Sequence, residues 1–364
     1  MELMQASRQW ASRPNDERFI SLTALHDHVM TQRVNSVARV VASRSLEFRP
    51  SSTDNVRGIS VVGPNGHEFT PSHWAFGQLA TLAQAPAGYL RTLPAPIAAD
   101  ALNYGLRFER ENEEVGVLLR RNGGNELAAA TGPRYGRVWN HNITSQLMDR
   151  FGDGLTGDWR VPGEFGKAVQ VDKANTTLYA SDRDMFVFLA DETNRIVLPN
   201  RRNGKSGSLA RGFFCWNSEV GAATFGVAMF LFDYVCCNRI VWGAEGYKEL
   251  KLRHTVTAPG RFLEEVVPVL EDYSSSSPKP IEEVLQAAQR AKVDDLADFL
   301  AKRRFTGKTA SKIAETFLEE EGREIETLWD VATGITAYAK TLPFQDERVA
   351  MEREGGKVLD LVAA

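Results

Sequence analysis

Apolar positions in the first fifty residues repeat with a helical period. Leu22, Leu25, Val29, Val34, Val37, Val40 and Val41 predict a surface helix over 21–46, and the Pro/Ser/Asn-rich stretch 49–55 breaks it. The pattern then changes. Two short apolar runs around a Pro-Asn-Gly turn predict a hairpin over 57–69. Pro71 and Ser72 open a predicted helix over 71–82, with Ser72 placed to cap it, and another helix is predicted at about 97–106. Val115–Arg121 and Glu126–Thr131 flank the sequence NGGN, a hairpin turn signal. A helix is predicted from about Asn140 to Arg150. Strands follow at 167–172, 176–180, 185–190 and 196–198, with GFFCWN at 212–217 as one more.

The most apolar stretch begins after Ser218. Gly221, Ala222, Ala223, Gly226 and Ala228 are small, while Phe225, Met229, Phe230, Phe232 and Val235 are large and run around much of a helical wheel. With Ser218 as N-cap and Glu219 in the first turn, the pattern predicts one long helix over 219–243, buried on more than one side. Antiparallel strands followed by that helix predict an α+β fold, an antiparallel sheet with a long buried helix packed on it in a β-β-β-α-like core. The run YSSSSPKP at 273–280 reads as a linker. Beyond it, Ile281, Leu285, Ala288, Leu296 and Leu300, then Ile313, Phe317, Trp329 and Ile335, repeat at helical spacing. The expected organisation is an N-terminal helical segment over 1–50, a core over 51–272, the linker, and an α-helical region over 281–364.

Composition narrows the class. The chain has 364 residues, 43% hydrophobic and 25% charged, the profile of a globular protein of about two domains. Its 43 Lys and Arg stand against 47 Asp and Glu, a formal net charge of −4. That excludes a globally basic nucleic-acid coat and leaves room for a local basic groove. Cys215, Cys236 and Cys237 do not make a disulfide framework, so reduced thiols and a cytoplasmic setting are expected. The N-terminus has no apolar signal-peptide core. Val220–Val235 is shorter than a membrane span and contains Asp233, so no membrane partner is expected.

Enzyme signatures are absent from the sequence. NGKSG at 203–207 lacks the earlier glycine of a phosphate loop, and Pro199 stands in its place. His26 and His28 would diverge by about 200° on a helix, and the cysteines lack paired C-x-x-C spacing, so no metal site is expected. Asp182 and Asp184 read as a solvated turn. No cofactor and no enzymatic activity are expected.

The informative asymmetry is local charge. Arg195, Arg201, Arg202, Lys205 and Arg211 fall in an acid-free stretch rich in Gly, Asn and Ser, followed by Phe213, Phe214 and Trp216. Cations beside aromatics suit single-stranded nucleic acid, the cations meeting phosphates and the rings meeting bases. Phe214 and Trp216 alternate onto one face, which fits a core strand equally well. Lys251 and Arg253 extend the basic set. Further basic groups are Arg134, Tyr135 and Arg137, and Lys302, Arg303, Arg304 and Lys308.

Three passages carry a resemblance: RYGRVWNHNITSQLMDRF at 134–151, NSEVGAATFGVAMFLFDYVCCNRIVWG at 217–243, and KLRHT at 251–255. Together with WDVATGITAYAK and ERVAMEREGGKVL near the C-terminus, they resemble the domain-of-unknown-function 932 family of phage, plasmid and prophage proteins. At the level of topology, strands followed by a long helix are similar to the core of Rad52-type single-strand annealing proteins, whose rings bind DNA in a basic groove. The resemblance implies a cytoplasmic, homo-oligomeric, mobile-element protein that binds single-stranded DNA and anneals complementary strands. Arg195, Arg201, Arg202, Lys205, Arg211, Lys251 and Arg253 are the expected phosphate contacts and Trp216 the expected stacking residue. The competing expectation is a non-enzymatic phage assembly or host-interaction protein that works through the apolar helix.

Overall fold

The structure is a computed structural model, and the residues it describes are 13–51, 58–108, 113–121, 124–161, 171–174, 176–201, 204–233, 239–240, 250–342 and 345–363. A two-residue strand β1 (Arg18–Phe19) is followed by helix Leu22–Val34, which Ser21 caps by accepting the Ala24 N–H. A six-stranded sheet comes next: β2 (Ser36–Ala42), β3 (Glu47–Pro50), β4 (Ile59–Val62), β5 (Glu68–Pro71), β6 (Glu114–Arg120) and β7 (Glu126–Thr131). Its order is β2-β6-β7-β5-β4-β3, and only the β5–β7 pair is parallel. Helices His73–Leu82 and Ala95–Asn103 pack on one face, around Val61, Val115, Val117 and Leu127.

The second sheet holds β1 together with β8 (Trp159–Arg160), β9 (Leu178–Ala180), β10 (Met185–Asp191), β11 (Ile196–Arg201), β12 (Lys205–Asn217), β13 (Phe225–Asp233), β14 (Arg239–Ile240) and β15 (Leu250–Leu252). Its main path is β1-β9-β10-β12-β13-β14, antiparallel throughout, with β8, β11 and β15 pairing to β10, β12 and β13. Helices Leu22–Val34, Asn140–Phe151 and Val267–Ser275 cover one face through Leu25, Ile143, Leu147 and Leu270. The fold is α+β, as the pattern predicts. No helix among the described residues is long and apolar enough to cross a membrane.

Several expectations need correction. The long buried helix over 219–243 does not form. Residues 219–223 make a turn, β13 follows, and of the remainder only Arg239–Ile240 are described, paired with β13. The physical reason lies in two-sided burial. Phe225, Val227 and Met229 point into the helix-covered core, while Ala228 and Phe230 join Phe186, Phe188 and Phe214 on the opposite face. A central strand buried on both faces is apolar at every position, which a buried helix also is. Ser218 and Glu219 look like a helix start but close a turn: Ser218 Oγ accepts the Ala222 N–H at 2.9 Å. The helix expected to complete a β-β-β-α core is therefore not at 219–233, where β13 stands, and the assembly reading loses the apolar helix that motivated it.

The first predicted helix ends at Val34, and Val37, Val40 and Val41 belong to strand β2, where β-branched side chains fit better. The predicted linker is continuous with the core. Helix Val267–Ser275 runs into it, Tyr273 is buried, and the Ser276 carbonyl receives a bond from Arg211. The C-terminal helices dock onto the second sheet, with Ile281, Leu285 and Trp329 packed against Ile196, Leu198, Leu209 and Leu231. The expected hairpin forms from Ile59–Val62 and Glu68–Pro71. The Ser72-capped helix, the 140–150 helix and the strands at 185–190 and 196–198 form as predicted, and the strand expected at 176–180 is confined to Leu178–Ala180. Most of the strand expected at 167–172, and Cys236 and Cys237, lie outside the described residues.

Candidate functional site

The basic stretch between Arg195 and Arg211 is not an open cationic loop. It is the β11–β12 hairpin, with Arg201 directly opposite Lys205. Arg201 is 1% exposed and Arg211 is 2% exposed. Arg201 donates from Nη2 to Glu321 at 2.6 Å and lies over the Trp329 ring. Arg211 donates from Nη2 to Asp191 at 2.7 Å and from Nη1 to the Ser276 carbonyl at 2.8 Å, between the rings of Trp159 and Tyr273. Both are core ion pairs and have no surface left for phosphate. Arg195 pairs with Glu192 at the surface. Arg202 lies outside the described residues.

Trp216 is also a core residue. Its indole fills the space that a side chain on Gly226 would occupy, since a Cβ there would stand 2.1 Å from Trp216 Cζ2. Phe213 is buried against Phe151 and Trp159, so neither ring is open to a base. Of the expected contacts, Lys251 and Arg253 are exposed, on and just after β15. Asp184 is tied to Arg13 and Ser181 rather than solvated, and His26 and His28 bond to Thr144 and Gln32 in separate directions.

What the structure does bring together is 134–140, 217–221 and 254, from three of the passages singled out by sequence. Glu219 is the hub. Its Oε2 accepts Arg120 Nη2 at 3.0 Å and its Oε1 accepts the Asn140 N–H at 2.8 Å, while Arg137 Nε donates to its carbonyl at 2.9 Å. Both side chains of the Arg120–Glu219 pair are buried, so the end of β6 and the turn after β12 are joined by a contact with little solvent screening. Tyr135 Oη donates to the Ser218 carbonyl at 2.9 Å, and Trp74 Nε1 and Gln78 Nε2 donate to that of Val220. Asn217 Nδ2 donates to the Val138 carbonyl and to Asn140 Oδ1.

On this base stands a ladder of alternating cations and rings. Arg33 lies 4.1 Å from the Trp139 ring, and Arg137 lies 5.5 Å from Trp139 and 5.1 Å from Tyr135. Tyr135 stacks on His254 with centroids 4.8 Å apart and planes 24° apart. His254 Nδ1 lies 3.1 Å from the Gly136 carbonyl, which only accepts, so Nδ1 carries the proton. Burial lowers the His254 pKa and raises that of Tyr135, so both rings are neutral. Burial also lowers the Arg137 pKa, and its Nη2 has no hydrogen-bond partner among the described residues. Gly136 permits the crossing. A Cβ there would stand 1.8 Å from the Thr255 carbonyl oxygen.

The end of the ladder opens to solvent. Gly132, Pro133, Arg134, Tyr135, His254 and Val256 line much of a depression of about 680 Å³, and no carboxylate among the described residues lines it. Arg134 and Val256 are exposed, and Arg253 stands beside His254 in the chain. An aromatic wall, apolar sides and a guanidinium at the rim can hold a planar ring that carries a nearby negative charge. The RYGRVW alternation at 134–139 signals the cations and rings of this site. The pairing of Tyr135 with a histidine far along the chain has no local signal. No known family model, curated protein or solved structure matches this chain.

Proposed function

We propose that this chain binds single-stranded nucleic acid at the Tyr135–His254 depression, not along the 195–211 stretch. The observation that carries the reading is the open depression, lined by no carboxylate among the described residues, with a stacked aromatic wall and the exposed Arg134. Lys251 and Arg253, exposed on and just after β15, would serve as further phosphate contacts, Arg253 being next in the chain to His254. The mobile-element reading rests on the resemblance, whose passages supply Arg134, Tyr135 and His254 of the depression and the hub beneath it. Annealing of complementary strands by an oligomer is the activity such a surface would serve, and it needs no cofactor.

The test is fluorescence anisotropy with a labelled oligonucleotide across a salt series. Wild type should bind, with log affinity falling by about 0.7 per neutralised phosphate per unit of log salt. The exposed triple variant Arg134→Ala, Lys251→Ala, Arg253→Ala should lower affinity and flatten that slope. Val256→Glu should abolish binding by placing a carboxylate in the depression. No binding by wild type at micromolar protein and low salt, or a triple variant with the wild-type slope, overturns the proposal.

A further inference from the structure

A second site lies on the six-stranded sheet and shares no lining residue with the depression. Helices His73–Leu82 and Ala95–Asn103 cover only part of the inner face. At the end near the β4–β5 turn a cavity of about 380 Å³ remains. Register explains its walls. Val37 stands opposite Leu119, Arg39 opposite Val117, and Val61 opposite Phe69, so their side chains gather on one face of neighbouring strands. With Val41 they form an apolar wall that continues the buried core formed by Val61 and Val117.

Part of the lining has a different chemistry. Arg39, Arg121 and His67 are also among the lining residues, Arg39 and Arg121 exposed to solvent, and no Asp or Glu among the described residues lines the cavity. Neither arginine side chain makes an ion pair or hydrogen bond among the described residues. The two guanidiniums, with Asn35, Asn65 and His67, give the cavity a polar side facing the apolar wall. The volume is at the low end of small-molecule pockets, which run from about 300 to 1,000 Å³.

The geometry points to a binding site for a small amphipathic carboxylate, with an apolar body the size of one ring or a short acyl chain. The body fills the space between Val61, Phe69, Val117 and Leu119. The carboxylate meets Arg39 and Arg121, whose planar donor forks match it. Because the arginines are solvent-exposed, they contribute selectivity more than affinity, and the apolar walls supply most of the binding.

Calorimetric titration with octanoate and with 1-octanol tests this. Octanoate should bind wild type more tightly than octanol. The variant Arg39→Gln, Arg121→Gln should lose about fivefold in octanoate affinity, while octanol binding stays unchanged. Val41→Trp, which fills the cavity from the half-buried edge strand, should abolish both, and circular dichroism checks that it folds. Octanoate that binds no better than octanol, no binding at millimolar ligand, or indifference to either variant overturns the assignment. So does sedimentation showing a dimer whose formation excludes octanoate, since the cavity would then be covered by a second copy. An oligonucleotide should not compete, so this result stands apart from the outcome at the Tyr135 depression.

Discussion

Replacing Arg201 by alanine is expected to destabilise the fold and to leave nucleic-acid binding by the folded protein alone. The guanidinium makes a two-point contact with Glu321, Nη2 to Oε1 at 2.6 Å and Nε to Oε2 at 3.3 Å. Side-chain exposures of the pair are 1% and 0%, and the Trp329 ring lies 5.3 Å from the guanidinium. Truncation leaves the Glu321 carboxylate buried without this counter-charge. Breaking one half of such a pair costs about 3–5 kcal/mol, a large part of the roughly 5–15 kcal/mol that holds a typical protein folded. Removing both charges together as Arg201→Met, Glu321→Leu keeps the volume and strands no ion, so it should cost far less than Arg201→Ala. Urea unfolding followed by tryptophan fluorescence reads the midpoints, and anisotropy titrations at several salt concentrations read binding. Expected is a large fall for Arg201→Ala, recovery in the double variant, and an unchanged salt slope. An unchanged midpoint with a flattened slope would refute the buried-pair reasoning and return Arg201 to the phosphate contacts.

Other perturbations test the hub and the ladder. Glu219→Gln keeps an acceptor for the Asn140 N–H but faces Arg120 with a neutral amide, and should cost about 3 kcal/mol by urea unfolding. Gly136→Ala drives a methyl into the Thr255 carbonyl and should cost about 1–3 kcal/mol or more; near-wild-type stability would show that the crossing is loose. Burial lowers the pKa of His28, His141 and His254 below the ordinary value of about 6.5. The folded state then binds fewer protons than the unfolded state as pH falls through that value, so stability present above it is lost on acidification. The urea midpoint should drop between pH 7.5 and 5.5, and His254→Gln should lessen the drop; a midpoint that rises on acidification would contradict the assignment.

Local chemistry was legible wherever the signal was local. Pro-Asn-Gly placed the hairpin at 57–69, and Ser72 caps its helix by accepting the Ala75 N–H, as its type and position imply. The strands at 185–190 and 212–217 were visible because apolar runs of strand length are bounded by turn residues, while the start of β12 at Lys205 was not. The same reasoning went astray at 219–243, because burial on both faces erases the period that separates strand from helix. The charge count over 195–211 failed for a related reason. It sees sequence neighbours, and the partner of Arg201 is Glu321, brought beside it by the C-terminal helices. An acid-free stretch is acid-free only along the chain.

By itself, the sequence determined the α+β class, most of the local turns and caps, and the residue types of the RYGRVW passage. Those follow from backbone preferences and from periodicity, which act over a few residues. Tertiary structure alone decided which cations are solvent-facing, that Trp216 packs over Gly226, and that Tyr135 meets His254 at the wall of a solvent-facing depression. Burial and pairing depend on which segments the two sheets and the C-terminal helices bring into contact. A charge becomes a ligand contact or a core ion pair only when that packing is complete.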